Sequence, residues 1–289
     1  MRKVKKAIKK VKIFFGRVFQ RKTPVYVPVV YGDFLKGRTA LITGGTSGIG
    51  YAVAQAYIKN GCGVIITGRT QKRISDAVTK LRQDCTDDEQ LVMGFELDLT
   101  KTEEIASSFN RLLTELPGRQ IDILVNNAGV MNGVAMGTTT IPDFEKTIKT
   151  NLEGTFFLSQ AVCNYMIENN IKGNVLNMAS SSSLRPAVSP YMLSKWGVRG
   201  LTEGMAKRFI PYGIVVNGIA PGPTATPMLM SSEGMSLNNK KVPAGRYCTS
   251  EEIANLAVVL VSGMGRMIVG DIIYITGGSG LITFDDMNY

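Results

Sequence analysis

The sequence predicts an α/β protein: a single doubly wound domain with a seven-stranded parallel sheet and helices on both faces. Three observations carry this expectation. Short apolar runs recur at 39–43, 63–67, 91–97, 121–125, 174–179, 213–219 and 271–276. Longer segments with helical spacing lie between them, at 49–59, 71–83, 102–116, 143–168, 190–210 and 250–262. The short runs are apolar throughout, as parallel strands covered on both faces require. Seven such strands with intervening helices make one doubly wound array.

The chain divides into three parts. Residues 1–22 form a basic arm, 23–33 a linker broken by Pro24 and Pro28, and 34–289 the α/β domain. Ten of the 33 basic residues fall in the arm, which has no acid. The 23 basic residues that remain equal the 23 acidic ones, so the net charge of +10 belongs to the arm. A neutral body argues against nucleic acid as a partner. In the arm, Val4, Ile8, Val11, Phe15 and Val18 line up on one face of a helix, with lysines over much of the rest. Such a helix suits a peripheral contact with an anionic membrane surface, or packing on a partner. No run of about 18 apolar residues exists to span a membrane. The longest apolar run of the arm, Ile13 to Phe15, is too short for a signal peptide. Four scattered cysteines and no histidine make a metal site improbable. They suit reduced thiols in the cytoplasm, with the arm at the inner face of the membrane.

The first strand runs into "TGGTSGIG", where Gly44, Gly48 and Gly50 bridge a strand and a helix. Glycines let the backbone turn tightly and approach a pyrophosphate, which the helix N-terminus stabilises. The alternative is a plain tight turn, but its place at the first strand–helix connection favours a Rossmann-type dinucleotide site. The second strand ends in Gly68-Arg69, with no acid at 67–70. An acid there suits the ribose hydroxyls of NAD, whereas an arginine suits the 2′-phosphate of NADP. NADP is the expected cofactor and NAD the alternative.

In "YMLSK", Tyr191 and Lys195 stand four residues apart and share a helix face. With no histidine available, a phenol tuned by a neighbouring ammonium is the candidate for proton transfer. A free tyrosine, with a pKa of about 10, is a poor base near neutrality. The ammonium, and the positive ring of the oxidised cofactor, are expected to lower that value. The Tyr-x-x-x-Lys pair alone is common by accident.

Its context is not. From about Phe34 to Gly280 the chain resembles the short-chain dehydrogenase/reductase superfamily. The pieces in order are "TGGTSGIG" (43–50), "LDL" (97–99), "NNAG" (126–129), "NLEGTF" (151–156), "NMAS" (177–180), "YMLSK" (191–195) and "IAPGPTATPM" (219–228). The resemblance implies that Tyr191 is the acid–base and that Lys195 also binds the nicotinamide ribose. It implies that Ser180 polarises the substrate oxygen and that Asn151 holds a water linking Lys195 to solvent. For the cofactor it implies Gly44, Thr46, Ser47, Gly48, Ile49 and Gly50, then Asp98 and Leu99 at the adenine. Asn127, Ala128 and Gly129 would line the cofactor, and Pro221, Gly222, Thr224 and Thr226 would hold the carboxamide end. Ser180 stands closer to Tyr191 than the family's serine usually does, which leaves Ser182 as an alternative.

The segment 223–248 is expected to cover the substrate. Met228, Leu229, Met230 and Met235, with Met131, Met136 and Met192, suit an adaptable apolar pocket, although methionine also fills cores. Lys240, Lys241 and Arg246 could meet an acidic substrate or carrier, or form a solvated loop. The expected activity is NADP(H)-dependent interconversion of a ketone and a secondary alcohol, free or carrier-bound, resembling 3-oxoacyl-carrier-protein reductases. The competing reading is a non-catalytic dinucleotide-binding or membrane-peripheral module. Resemblance also implies a homodimer or homotetramer through 143–168 and 190–210.

Overall fold

The computed structural model describes residues 32–282, apart from 86, 88, 117, 227 and 229–236. The arm and most of the linker lie outside the described residues. So do Leu229, Met230 and Met235.

Seven strands form one wholly parallel sheet: β1 (Thr39–Ile42), β2 (Gly63–Gly68), β3 (Val92–Glu96), β4 (Ile123–Asn126), β5 (Asn174–Met178), β6 (Val215–Pro221) and β7 (Ile272–Ile275). Their spatial order is β3-β2-β1-β4-β5-β6-β7. β1 pairs with β2 on one side, Ala40 opposite Val64, and with β4 on the other, Ala40 opposite Ile123. Order therefore reverses at β1, and a crevice opens beyond the strand ends there, where doubly wound sheets bind ligands.

The helices are α1 (Gly48–Lys59), α2 (Gln71–Leu81), α3 (Ile105–Glu115), α4 (Ile141–Ile148), α5 (Gly154–Glu168), α6 (Pro190–Phe209) and α7 (Ser250–Val261). The continuous apolarity of the strands has a direct explanation. Side chains alternate between two apolar cores. Ala40 and Ile42 face the core built with Val53, Tyr57 and Ile58 of α1 and Ile253 and Ala257 of α7. Leu41, between them, faces the core built with Phe109 of α3, Leu158 of α5 and Met205 of α6. β2 repeats the division, with Val64 and Ile66 on the first side and Ile65 on the second. Truncating Leu41, Ile42, Ile65 or Leu158 to alanine costs about 2–5 kcal/mol in comparable cores.

One expected element differs. The segment 143–168 is not a single helix, because a π turn at Lys149–Glu153 separates α4 from α5. Asn151 sits in that turn, and its amide reaches across to the backbone of Val130. Inserted π turns of this kind recur at functional sites. The apolar pattern continues across the insertion and hides it.

Candidate active site

The crevice beyond β1 and β4 is a cleft of about 400 Å³. Its floor is the glycine loop between β1 and α1. Gly44 has φ +64°, and a Cβ there would lie 2.9 Å from the Ala128 Cα, so only glycine fits. Gly48 has φ +57° at the first turn of α1. Ser47 stands at the N-cap without making a side-chain capping bond. The loop thus presents a close-lying backbone and a helix N-terminus to the cleft, which fits a pyrophosphate.

Thr46, Ser47, Gly48 and Ile49 line this cleft, as do Arg69, Asp98, Leu99, Asn127, Ala128 and Gly129. At its other end Pro221, Gly222, Thr224 and Thr226 complete the wall. Gly50 does not line it. A Cβ at Gly50 would strike the Asn127 amide and the Gly44 carbonyl, so this glycine serves close packing behind the loop. Asn127 itself braces the loop, its Nδ2 donating to the carbonyls of Thr43 (3.0 Å) and Gly44 (3.2 Å). The Asp98 carboxylate accepts from the backbone N–H and hydroxyl of Thr100, fixing the turn after β3.

Two residues near the glycine loop and Arg69 were not singled out from sequence. The Thr43 hydroxyl accepts from the backbone N–H groups of Asn127 (2.9 Å) and Ala128 (3.0 Å), tying β1 to β4. Arg73, in the first turn of α2, lines the same end of the cleft as Arg69. Its signal was the i, i+4 spacing of two arginines around a helix start. Both guanidinium groups are exposed, and α2 carries no acid in its first turn.

The opposite end holds the candidate proton-transfer pair. Ser189 caps α6, its hydroxyl accepting from the Met192 N–H, and Pro190 sits in the first turn, where it suits a helix. This start places Tyr191 on the cleft wall and Lys195 one turn deeper, with Nζ 5.7 Å from the phenol ring centre. Lys195 is 6% exposed, and its Nζ donates to the Met178 carbonyl at 2.7 Å. An ammonium carries three protons, so it keeps donors for a ligand. Burial lowers its pKa to about 8.

The Tyr191 phenol behaves differently from the expectation. Burial raises its pKa above the ordinary value, and a hydrogen bond from Ser180 only partly opposes this. Desolvation dominates, and the phenol stays protonated at neutral pH.

Ser180 and Ser182 are both buried, but only Ser180 lines the cleft and hydrogen-bonds Tyr191. The short serine-to-tyrosine spacing is bridged by a 3₁₀ turn, Ser181–Leu184, after which the chain runs extended at Arg185. The Ser180 hydroxyl accepts from the Ser182 N–H at 3.1 Å, leaving its proton to point elsewhere.

Asn151 is 1% exposed and does not line the cleft. Its Oδ1 accepts from the Val130 N–H (2.8 Å), and its Nδ2 donates to the Val130 carbonyl (3.0 Å) and the Ser194 hydroxyl (3.1 Å). The side chain therefore braces the cleft wall against α6. A Cβ at Gly129 would lie 3.4 Å from Asn151 Oδ1 and 3.8 Å from Lys195 Nζ. Gly129 keeps the space between them open.

Of the expected apolar pocket, Met131 and Met228 line the cleft. Met192 is buried in the core and Met136 is 84% exposed, so neither contributes. Arg246 does not face the cleft; its guanidinium makes a bidentate pair with Glu252 of α7 (2.6 and 2.9 Å). Lys240 and Lys241 are exposed and do not line the cleft.

Comparison with known proteins agrees with this architecture. The profile of the short chain dehydrogenases matches residues 38–236. A 3-oxoacyl-[acyl-carrier-protein] reductase of Aquifex aeolicus is 32% identical over 248 residues, covering 84% of this chain and 98% of the relative. Glucose 1-dehydrogenase 2 of Bacillus subtilis is 33% identical over 259 residues, covering 87% and 98%. Among solved structures, an actinorhodin polyketide ketoreductase variant with NADPH superposes with a TM-score of 0.77 at 27% identity, covering 85% of this chain and 98% of that one.

Proposed function

The chain belongs to the short-chain dehydrogenase family, and on that premise we propose that it is an NADP(H)-dependent oxidoreductase interconverting an uncharged, apolar ketone and its secondary alcohol. The observation that carries this reading is the meeting of Ser180, Tyr191 and Lys195 at one end of a cleft whose other end is lined by Arg69 and Arg73.

The glycine loop and the N-terminus of α1 would hold the pyrophosphate, Arg69 and Arg73 the 2′-phosphate, and Lys195 the nicotinamide ribose. NADPH, when bound, supplies the hydride. Ser180 donates a hydrogen bond to the substrate oxygen, polarising the carbonyl. Tyr191 then gives its proton to that oxygen as negative charge builds on it. Lys195 stabilises the phenolate left behind, and Asn151 holds the wall beside it. Its carbonyl, which accepts from the Thr155 hydroxyl at 3.0 Å, would also hold the relaying water that the resemblance implies.

The proposed substrate polarity follows from what lines the cleft. Val130, Met131, Ala179 and Met228 are apolar, and the cations that line the cleft besides Lys195 are at the adenosine end. Among the described cleft residues a substrate carboxylate would find no cation beside the reacting carbon other than Lys195, whereas an acyl chain would meet apolar side chains. The reductase of Aquifex aeolicus acts on a substrate of the second kind by its name. The test is a screen of acyl-thioester ketones, cyclic ketones and keto-acid sugars, following NADPH absorbance. Fastest turnover of the keto-acids would overturn the apolar assignment.

The protonation states predict a pH profile. For reduction, kcat/KM should be flat near neutrality and fall as pH rises through about 8, where Lys195 loses its charge. Oxidation of the alcohol should rise in the same range as Tyr191 gives up its proton more readily. A reduction rate that climbs above that pH would contradict the assigned roles.

The protein also assembles with itself through α5 and α6, whose Phe156, Phe157 and Leu193 are exposed. A monomeric mass by sedimentation equilibrium would rule this out.

A further inference from the structure

Arg185 is the largest fully buried side chain among the described residues, at 2% exposure, and the reaction assigns it no role. It follows the 3₁₀ turn that Ser180 begins. Its Nη2 donates to the Ser279 hydroxyl at 2.9 Å, and Ser279 is itself fully buried. A Cβ at Gly280 would lie 3.2 Å from Nη2 and 3.3 Å from Nε, so the guanidinium rests against that glycine. Burying a guanidinium is costly. Packing alone would be served better by an apolar side chain of similar volume.

Its surroundings show what a directional group accomplishes there. On one side the turn carrying Ser180 is fastened to α6: the Arg185 carbonyl accepts from Trp196 Nε1 (2.9 Å) and the Ser183 carbonyl from Arg199 Nη1 (3.3 Å). On the other side Ser279 belongs to the turn after β7. That turn supports the far end of the 223–248 segment: the Gly277 carbonyl accepts from the Ala244 N–H at 2.9 Å. A Cβ at Gly277 would lie 2.9 Å from Val242, and one at Gly278 would lie 3.0 Å from Pro243. The same turn backs the cleft wall, since a Cβ at Gly222 would lie 2.7 Å from Thr276.

We infer that Arg185 is a positioning residue that ties the turn carrying Ser180 to the C-terminal turn on which the substrate-covering segment rests. The inference relies on the reading of Ser180 as the group that bonds the reacting oxygen. The location of the Ser180 hydroxyl, and with it the bond to Tyr191, then depends on how the covering segment is seated.

The first readout needs no substrate. Protein labelled with ¹³C at tyrosine Cζ reports the hydrogen bonding of each phenol, and the Tyr191→Phe spectrum assigns the Tyr191 signal. Ser180→Ala should move that signal by removing the bond. Arg185→Met and the milder Ser279→Ala should move it in the same direction, and Arg185→Met should move it no further when Ser180→Ala is already present. NADPH affinity by calorimetry should be unchanged in Ser279→Ala, while kcat falls with Ser180 present and stays level without it. A Tyr191 signal unmoved by Ser279→Ala, or moved equally with and without Ser180, would overturn the inference. If Arg185→Met does not fold, Ser279→Ala decides. Should Ser180→Ala itself leave both signal and turnover intact, the serine reading fails instead, a separate outcome.

Discussion

Replacing Tyr191 with phenylalanine is expected to lower kcat about 10²–10⁴-fold while leaving cofactor affinity unchanged. The substitution removes one hydroxyl from a ring that otherwise keeps its place at the start of α6, held by the Ser189 cap and Pro190. Lys195 remains bonded to the Met178 carbonyl, so the ribose end of the cleft is intact. What is lost is the proton donor and the partner of Ser180. Lys195→Ala is expected to act differently, weakening cofactor binding as well as rate, because the ammonium serves both. Single-turnover rates and calorimetric titration with NADPH separate the two variants. Near-normal turnover in Tyr191→Phe would remove the phenol from the mechanism.

The second large effect concerns cofactor choice. Arg69→Ala is expected to weaken NADPH about ten- to a hundredfold with little change for NADH. A guanidinium bonded to a phosphate contributes about 1.5–3 kcal/mol per hydrogen bond. Arg73→Ala should act on the same cofactor, and the double substitution should cost less than the two losses combined, since both groups would hold one phosphate. Neither change touches Ser180, Tyr191 or Lys195, so kcat at saturating NADPH should hold. Equal affinity of the wild-type protein for NADPH and NADH would end this assignment at once.

Much of the fold was legible because the strands sit between two apolar cores. Leu41 and Ile42 point opposite ways and both must be apolar, so β1 reads as an unbroken run. The glycine loop and the Tyr191–Lys195 pair were legible for a different reason: each is local, a few residues with a backbone requirement or a helical spacing. What remained hidden depends on chain segments far apart in sequence. Thr43 matters because its hydroxyl meets backbone groups 84 and 85 positions away. The Met178 carbonyl and the Arg185 guanidinium carry no sequence pattern at all. The π turn at Asn151 was hidden by apolar residues that continue on both sides of it. The direction of the Tyr191 pKa depended on burial, which spacing does not reveal.

The reversal of strand order at β1 also shapes how the molecule is made. A ribosome releases β1, α1 and β2 early, yet the second neighbour of β1 is β4, and the Thr39 N–H finds its Asp122 carboxylate partner 83 positions later. The outer face of α1 waits longer still, because α7 packs on it and Arg38 donates to the Val261 carbonyl 223 positions away. Closing such distant contacts is slow, and until then one edge of β1 and the apolar side of α1 stand open to other chains. The feature that opens the crevice in the finished protein thus ties it to contacts that can close only once most of the chain exists.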